Sequence, residues 1–146
     1  MKNIFIVLTS LLVLALYSCS VEPVEIDYGN VHCMHCDMTV VDRNHSAEYV
    51  TTKGKAFVFD AIECMVRTIN EKNNESDLAF ILVADYANPG TLIDVNSATF
   101  MINENIKSPM GANLSAFSTY ELAKNVQDKQ GGALYHWDEL KAELAE

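Results

Sequence analysis

Phe59-Asp60-Ala61-Ile62-Glu63-Cys64-Met65-Val66-Arg67-Thr68-Ile69-Asn70-Glu71 and Phe117-Ser118-Thr119-Tyr120-Glu121-Leu122-Ala123-Lys124-Asn125-Val126-Gln127-Asp128-Lys129 open in the same way. An aromatic residue is followed by a short polar side chain suited to cap a helix, Asp60 or Ser118, and three residues later by Glu63 or Glu121. That is the capping-box pattern at the end of a hydrophobic strand, met twice. Ile62, Met65, Val66 and Ile69 then recur at helical spacing, so Met65 reads as core packing, while Cys64 falls roughly opposite this stripe. Upstream, Ala47 to Thr52 and Lys55 to Phe59 read as strands around a Lys53-Gly54 turn. Leu78 to Asp85 reads as a further strand, ended by Asn88-Pro89-Gly90. Leu92 to Val95, Thr99 to Ile102 and Asn113 to Phe117 precede the second helix, and a short helix is expected from Trp137 or Asp138 to Glu146. The pattern predicts an α+β fold: two related β-β-α units, about residues 45–75 and 92–130, forming one small compact domain.

Six of the seven residues from His32 to Met38 can bind a soft or borderline metal. They are His32, Cys33, Met34, His35, Cys36 and Met38. Thiolates and thioethers together favour Cu(I) over other common ions. Thioethers add little to Zn(II) binding, and a zinc ribbon would also need a second cysteine pair that the sequence lacks. If this segment is extended, Cys36 and Met38 share a face and can grip one ion as a thiolate-thioether pair. Met110, on the Pro109-Met110-Gly111 turn, is a candidate to close the site; packing over a strand is its equally weighted alternative. Cys33 has three readings: a third ligand, the partner of Cys36 in a redox disulfide, or a spectator. Cys64 is set aside as a ligand because it must approach Cys36 across the fold. His32 and His35 read as solvated side chains.

Lys2 followed by the apolar run Ile4 to Tyr17 reads as a signal peptide, over residues 1–18, too short and wrongly flanked to span a membrane. Its end, Leu16-Tyr17-Ser18-Cys19, resembles a bacterial lipobox, in which the cysteine is acylated and anchors the chain to the membrane. Ordinary cleavage near Ser18 or Ser20 is the alternative. Processing at Cys19 leaves 128 residues with 9 basic and 20 acidic side chains, room for one core. The expected layout is a tether over 19–31 and a metal-binding domain over 32–146. So acidic a chain is no partner for nucleic acid. No Ser-His-Asp set, phosphate loop or paired acids appear in a recognisable motif. Cys33, Cys36 and Cys64 cannot all pair within one chain, so at least one stays free or bound. The rival functional class is an extracytoplasmic thiol-disulfide oxidoreductase using Cys33 and Cys36. Against it, the thioredoxin arrangement starts a helix, whereas Met38 to Val41 reads as a strand, and disulfide exchange has no use for Met38 and Met110.

Ile26-Asp27-Tyr28-Gly29, Cys33-x-x-Cys36-x-Met38, Phe59-Asp60-x-Ile62-x-Cys64-Met65 and Ser108-Pro109-Met110-Gly111 occur in an order that resembles the NosL family. These are lipoprotein copper chaperones associated with assembly of nitrous oxide reductase. The resemblance covers about Ile26 to Gly132. It implies a non-enzymatic role in Cu(I) binding and delivery, and a fold of two β-β-α units akin to that of the organomercurial lyase family. It also implies lipid anchoring in the cell envelope, facing the periplasm, and a recipient in nitrous oxide reductase or the membrane transporter of its assembly. Asp37 stands where the family often has Gly.

Overall fold

The computed structural model describes residues 20–145, so the expected signal peptide and Cys19 lie outside the described residues. Among those residues no helix is long and apolar enough to cross a membrane. Strand β1 (Ala47–Thr51) and β2 (Ala56–Phe59) form an antiparallel hairpin that feeds helix α1 (Ile62–Lys72). β3 (Leu78–Ala84) pairs with the other side of β1, and β4 (Leu92–Asp94) with β3, giving the order β2-β1-β3-β4. β5 (Thr99–Ile102) and β6 (Leu114–Phe117) are again antiparallel and feed α2 (Tyr120–Gln130). The two β-β-α units are therefore β1-β2-α1 and β5-β6-α2.

β7 (Ala133–Tyr135), which joins the far side of β5, is too short to announce itself in the sequence. The Gly131-Gly132 pair makes it possible: Gly132 has φ +104°, and a Cβ there would lie 2.8 Å from the Ile102 carbonyl oxygen. α3 (Trp137–Glu143) follows and closes the chain against α1.

Both long helices start one residue later than the capping-box reading places them. Their N-caps are Ala61 and Thr119, not Asp60 and Ser118. Thr119 Oγ1 accepts from the Leu122 amide, and Ala61 has no side chain to offer. Asp60 and Glu63 are thereby released for other partners.

The predicted stripe Ile62, Met65, Val66 and Ile69 is buried, each residue contributing on the order of 1.5–3 kcal/mol if fully withdrawn from water. It packs with Tyr49 and Phe59 from the first sheet, Phe100, Leu114 and Ala116 from the second, and Trp137 and Leu140 from α3. Glu63, Cys64 and Thr68 are buried too, so α1 is covered on nearly every side. Part of that cover is the N-terminal segment. Ile26 joins the core, and the Val24 amide donates to Glu48 Oε1 at 2.9 Å. Folded packing thus begins near Val24, which shortens the tether expected over 19–31.

The two sheets meet where Asp85, just beyond β3, forms a parallel bridge to Ala116 of β6, with the Tyr86 amide donating to the Ala116 carbonyl at 2.8 Å. Beside it, Asp42 Oδ2 lies 2.9 Å from His45 Nδ1, and His45 Nε2 lies 3.2 Å from Ser115 Oγ. This Ser-His-Asp chain is spread over 74 positions of sequence from 42 to 115 inclusive, which hid it from motif reading. Ser115 and His45 are both buried, so no substrate reaches the hydroxyl, and the chain acts as a polar tie between sheets. Ser115→Ala should leave a buried imidazole nitrogen without a partner and cost about 1–3 kcal/mol, measured by urea denaturation.

Candidate metal centre

The segment from Val31 to Val40 is a tight hairpin, not an extended strand. His32 bridges to Thr39, Cys33 donates its amide to the Met38 carbonyl at 2.8 Å, and Asp37 sits in the left-handed region at φ 63°. A left-handed residue breaks the two-residue side-chain alternation on which the shared face of Cys36 and Met38 was argued. It also accounts for Asp37 at a glycine-favouring position, since Asp tolerates this conformation better than most residues. Met38 to Val41 accordingly forms one bridge instead of the expected strand.

The hairpin docks on the first unit by one backbone bond, Met34 amide to Val58 carbonyl at 2.9 Å on the edge strand β2. His35 adds a side-chain link, its Nδ1 lying 3.0 Å from Thr68 Oγ1 of α1, so it is half-buried and not simply solvated. His32 is exposed.

Docking places Cys33 and Cys36 over the start of α1. There the ligand atoms of Cys33, Cys36, Asp60 and Cys64 all lie within 4.8 Å of one another. All three thiols are free; Cys33, Asp60 and Cys64 are buried, and Cys36 reaches the surface. Cys64, set aside on the sequence because it must approach Cys36 across the fold, is fully buried because the hairpin covers its face of α1. Asp60 is a member that sequence reading assigned to helix capping. Asp60 precedes the Ala61 N-cap and lies outside the helix, so no helical spacing announces it; the fold sets its carboxylate beside Cys64. The Cys36 thiol donates to Asp60 Oδ1 at 3.4 Å, while Asp60 Oδ2 is buried with no hydrogen-bond partner.

The three sulfurs differ in charge. A hydrogen bond from the Cys64 thiol holds Cys33 down to about 6, so Cys33 is the thiolate of the group. The same bond to Cys33, together with burial, pushes Cys64 far above the ordinary thiol value. Burial chiefly, and the neighbouring Cys33, pushes Cys36 up to about 11. An ion binding all three sulfurs near neutral pH therefore meets one thiolate and displaces two protons.

The two methionines lie at different depths. Met38 is 48% exposed at the rim of the hairpin. Met110 is half-buried and packs on the same core as Cys36. Its turn is held from both ends by Glu63 Oε1, which accepts from the Ser108 hydroxyl and from the Ala112 amide at 3.2 Å. Glu63 thus ties the second half of the chain to the helix turn that carries Cys64.

A compact α+β domain with three thiols and a carboxylate gathered under a surface hairpin defines a small protein with a ready-made soft-ligand cluster. The chain belongs to the NosL family, whose sequence profile matches residues 23–145. By structure it is similar to the copper chaperone NosL from Shewanella denitrificans, with a TM-score of 0.72 and 20% identity over 83% of this chain and 96% of that one. No curated protein gives a significant sequence match.

Cys33 carries a pH signature. Its pKa is lower in the folded chain than in the unfolded one, so between about 6 and the ordinary thiol value the unfolded state binds more protons. The reduced, metal-free protein should gain stability as pH rises through that window and lose the gain as pH falls through about 6. Cys36 and Cys64 oppose this only above the ordinary thiol value, where the folded state keeps the extra protons. Urea midpoints across pH 5.5 to 8.5, compared with those of Cys33→Ser, check the sign; a flat wild-type profile contradicts it.

Proposed function

We propose that this protein is a non-enzymatic Cu(I) chaperone of the cell envelope. The observation that carries the reading is the convergence of Cys33, Cys36 and Cys64 at one end of α1, three soft donors in a cluster open to solvent through Cys36. Soft thiolates select Cu(I) among the common ions, and a donor at the surface lets the ion be passed on by ligand exchange. Family membership and the fold shared with a copper chaperone support the same reading.

Cys36 is the principal ligand in this proposal. Cys33 supplies the neighbouring thiolate, Met38 reaches the ion from the exposed rim, and Met110 approaches from the turn that Glu63 secures. An incoming thiolate or thioether displaces the rim ligands first. Cys36 then lets the ion go. The rival reading, thiol-disulfide exchange by Cys33 and Cys36, leaves Met38 and Met110 without a role and lacks the helix start such pairs occupy.

Acylation at Cys19 and anchorage facing the periplasm belong to the proposal, resting on the lipobox-like end of the leader. So does the recipient, nitrous oxide reductase or the membrane transporter of its assembly, which rests on resemblance alone. Anaerobic Cu(I) titration against a chromophoric chelator should find tight binding that Cys36→Ser weakens at least tenfold and Met38→Ala or Met110→Ala weakens less. Unchanged affinity in Cys36→Ser would sink the ligand assignment. In the host, deletion should leave the reductase exported but short of copper under copper limitation. Cys19→Ser should abolish sedimentation with membranes.

A further inference from the structure

We infer that residues 21–26 are a releasable strap, latched over the outer face of the first sheet by Glu48, whose opening loosens the hairpin that carries Cys33 and Cys36. Along β1, Ala47 and Tyr49 face the core with α1, so Glu48 and Val50 point to the other side of the sheet. Val58 of β2 and Leu82 of β3 stand opposite Glu48. Glu48 is nonetheless wholly buried, and its Oε2 has no hydrogen-bond partner. A carboxyl so placed costs free energy that a leucine would not, and the bond it does make, from the Val24 amide, goes to the strap.

The strap is weakly packed. Residues 22–25 are exposed in a row, and Val24 and Glu25 line a cavity of about 120 Å³ together with Arg43, Gly90 and Leu92. Segments with so few buried apolar contacts open locally, well below the free energy of global unfolding. Beyond them the chain is tied down. Ile26 sits in the core, and the Gly29 amide donates to the Val40 carbonyl at 2.9 Å. The Val40 amide in turn donates to the Val31 carbonyl at 2.9 Å, which is the base of the ligand hairpin. Opening that draws out Ile26 therefore removes the support of that base and lets solvent reach Cys33.

Glu48 also makes the latch sensitive to pH. Burial raises its carboxyl above the ordinary value, against the Val24 amide, which favours the ionised form. No basic side chain among the described residues pairs with it. Val50, Ala56, Val58, Phe80 and Leu82 share its face of the sheet, while Lys55 lies on the other side, 4.6 Å over the Phe57 ring. Glu22 and Glu25 flank Val24 as exposed acids. With the strap open, the carboxyl meets water and returns to its ordinary value. The closed strap thus holds a proton that the open one gives up, so closure is favoured at low pH and lost as pH rises through the raised value.

The inference stands apart from the copper reading, and its test uses the reduced, metal-free protein. Hydrogen-deuterium exchange, corrected for the intrinsic rate at each pH, gives the protection of the Val24 amide from pH 4.5 to 8. Alkylation of Cys33 by iodoacetamide at one fixed pH reports on the hairpin. In the parent, Val24 protection should fall at least tenfold across that range. In Glu48→Gln it should stay level, because the side-chain amide still accepts from Val24 and does not ionise. Glu48→Leu offers no acceptor, so it should lose the protection at every pH and alkylate Cys33 at least tenfold faster, with a urea midpoint no lower than the parent's. That last pairing separates a latch from a packing residue, whose loss would lower the midpoint together with the protection. Should Glu48→Leu fail to fold, the level profile of Glu48→Gln decides. A flat profile in the parent, Val24 exchanging only through global unfolding, or Cys33 alkylated no faster in a folded Glu48→Leu overturns the strap and leaves Cu(I) binding untouched.

Discussion

One backbone hydrogen bond, from the Met34 amide to the Val58 carbonyl, fixes where the N-terminal hairpin lies. β2 is an edge strand, and its free carbonyls would otherwise face water or another chain. Using one of them to seat the hairpin does two things together. It blunts the edge, and it sets Cys33 and Cys36 over Asp60 and Cys64. A shift of one residue in that seating would point Cys33 away from the cluster and expose the flank of α1 it now covers. Register therefore matters more here than the intrinsic affinity of any single ligand.

The elements of the fold were legible because each is driven by a strong local pattern. The hairpin of β1 and β2, the stripe of α1, and β5, β6 and α2 all follow alternation or helical spacing, and most boundaries fall within a residue or two. What was not legible depends on contacts distant in sequence. Asp60 looks like a cap until a thiol from position 36 is brought to it, and Cys64 looks surplus until the hairpin covers its face. Asp37 gave no sign of reversing the chain beyond the glycine usual at its place. β7 exists only because Gly132 admits a strand against β5.

Buried polar groups divide the labour between function and cohesion. Asp42, His45 and Ser115 join the sheets with each hydrogen bond satisfied in line, and their geometry resembles a catalytic set only on paper. Asp60 and Glu63 are different, because each keeps one carboxylate oxygen buried and unpartnered. Such groups cost free energy that well-packed apolar residues would not. Asp60 faces the thiols and Glu63 secures the turn carrying Met110, so both costs fall beside the cluster.

The link from Glu63 to Ser108 and Ala112 also bears on the order in which the molecule assembles. It closes a loop of some 45 residues, and the core above α1 is completed only by Leu114, Ala116, Trp137 and Leu140. Contacts so far apart in sequence form late, after the entropy of closing the loop has been met. A chain emerging from its N-terminus therefore presents Cys33, Cys36 and Cys64 as loose, reactive sulfurs until the last quarter of the polypeptide arrives to confine them. The most vulnerable moment in the life of this site comes before it exists.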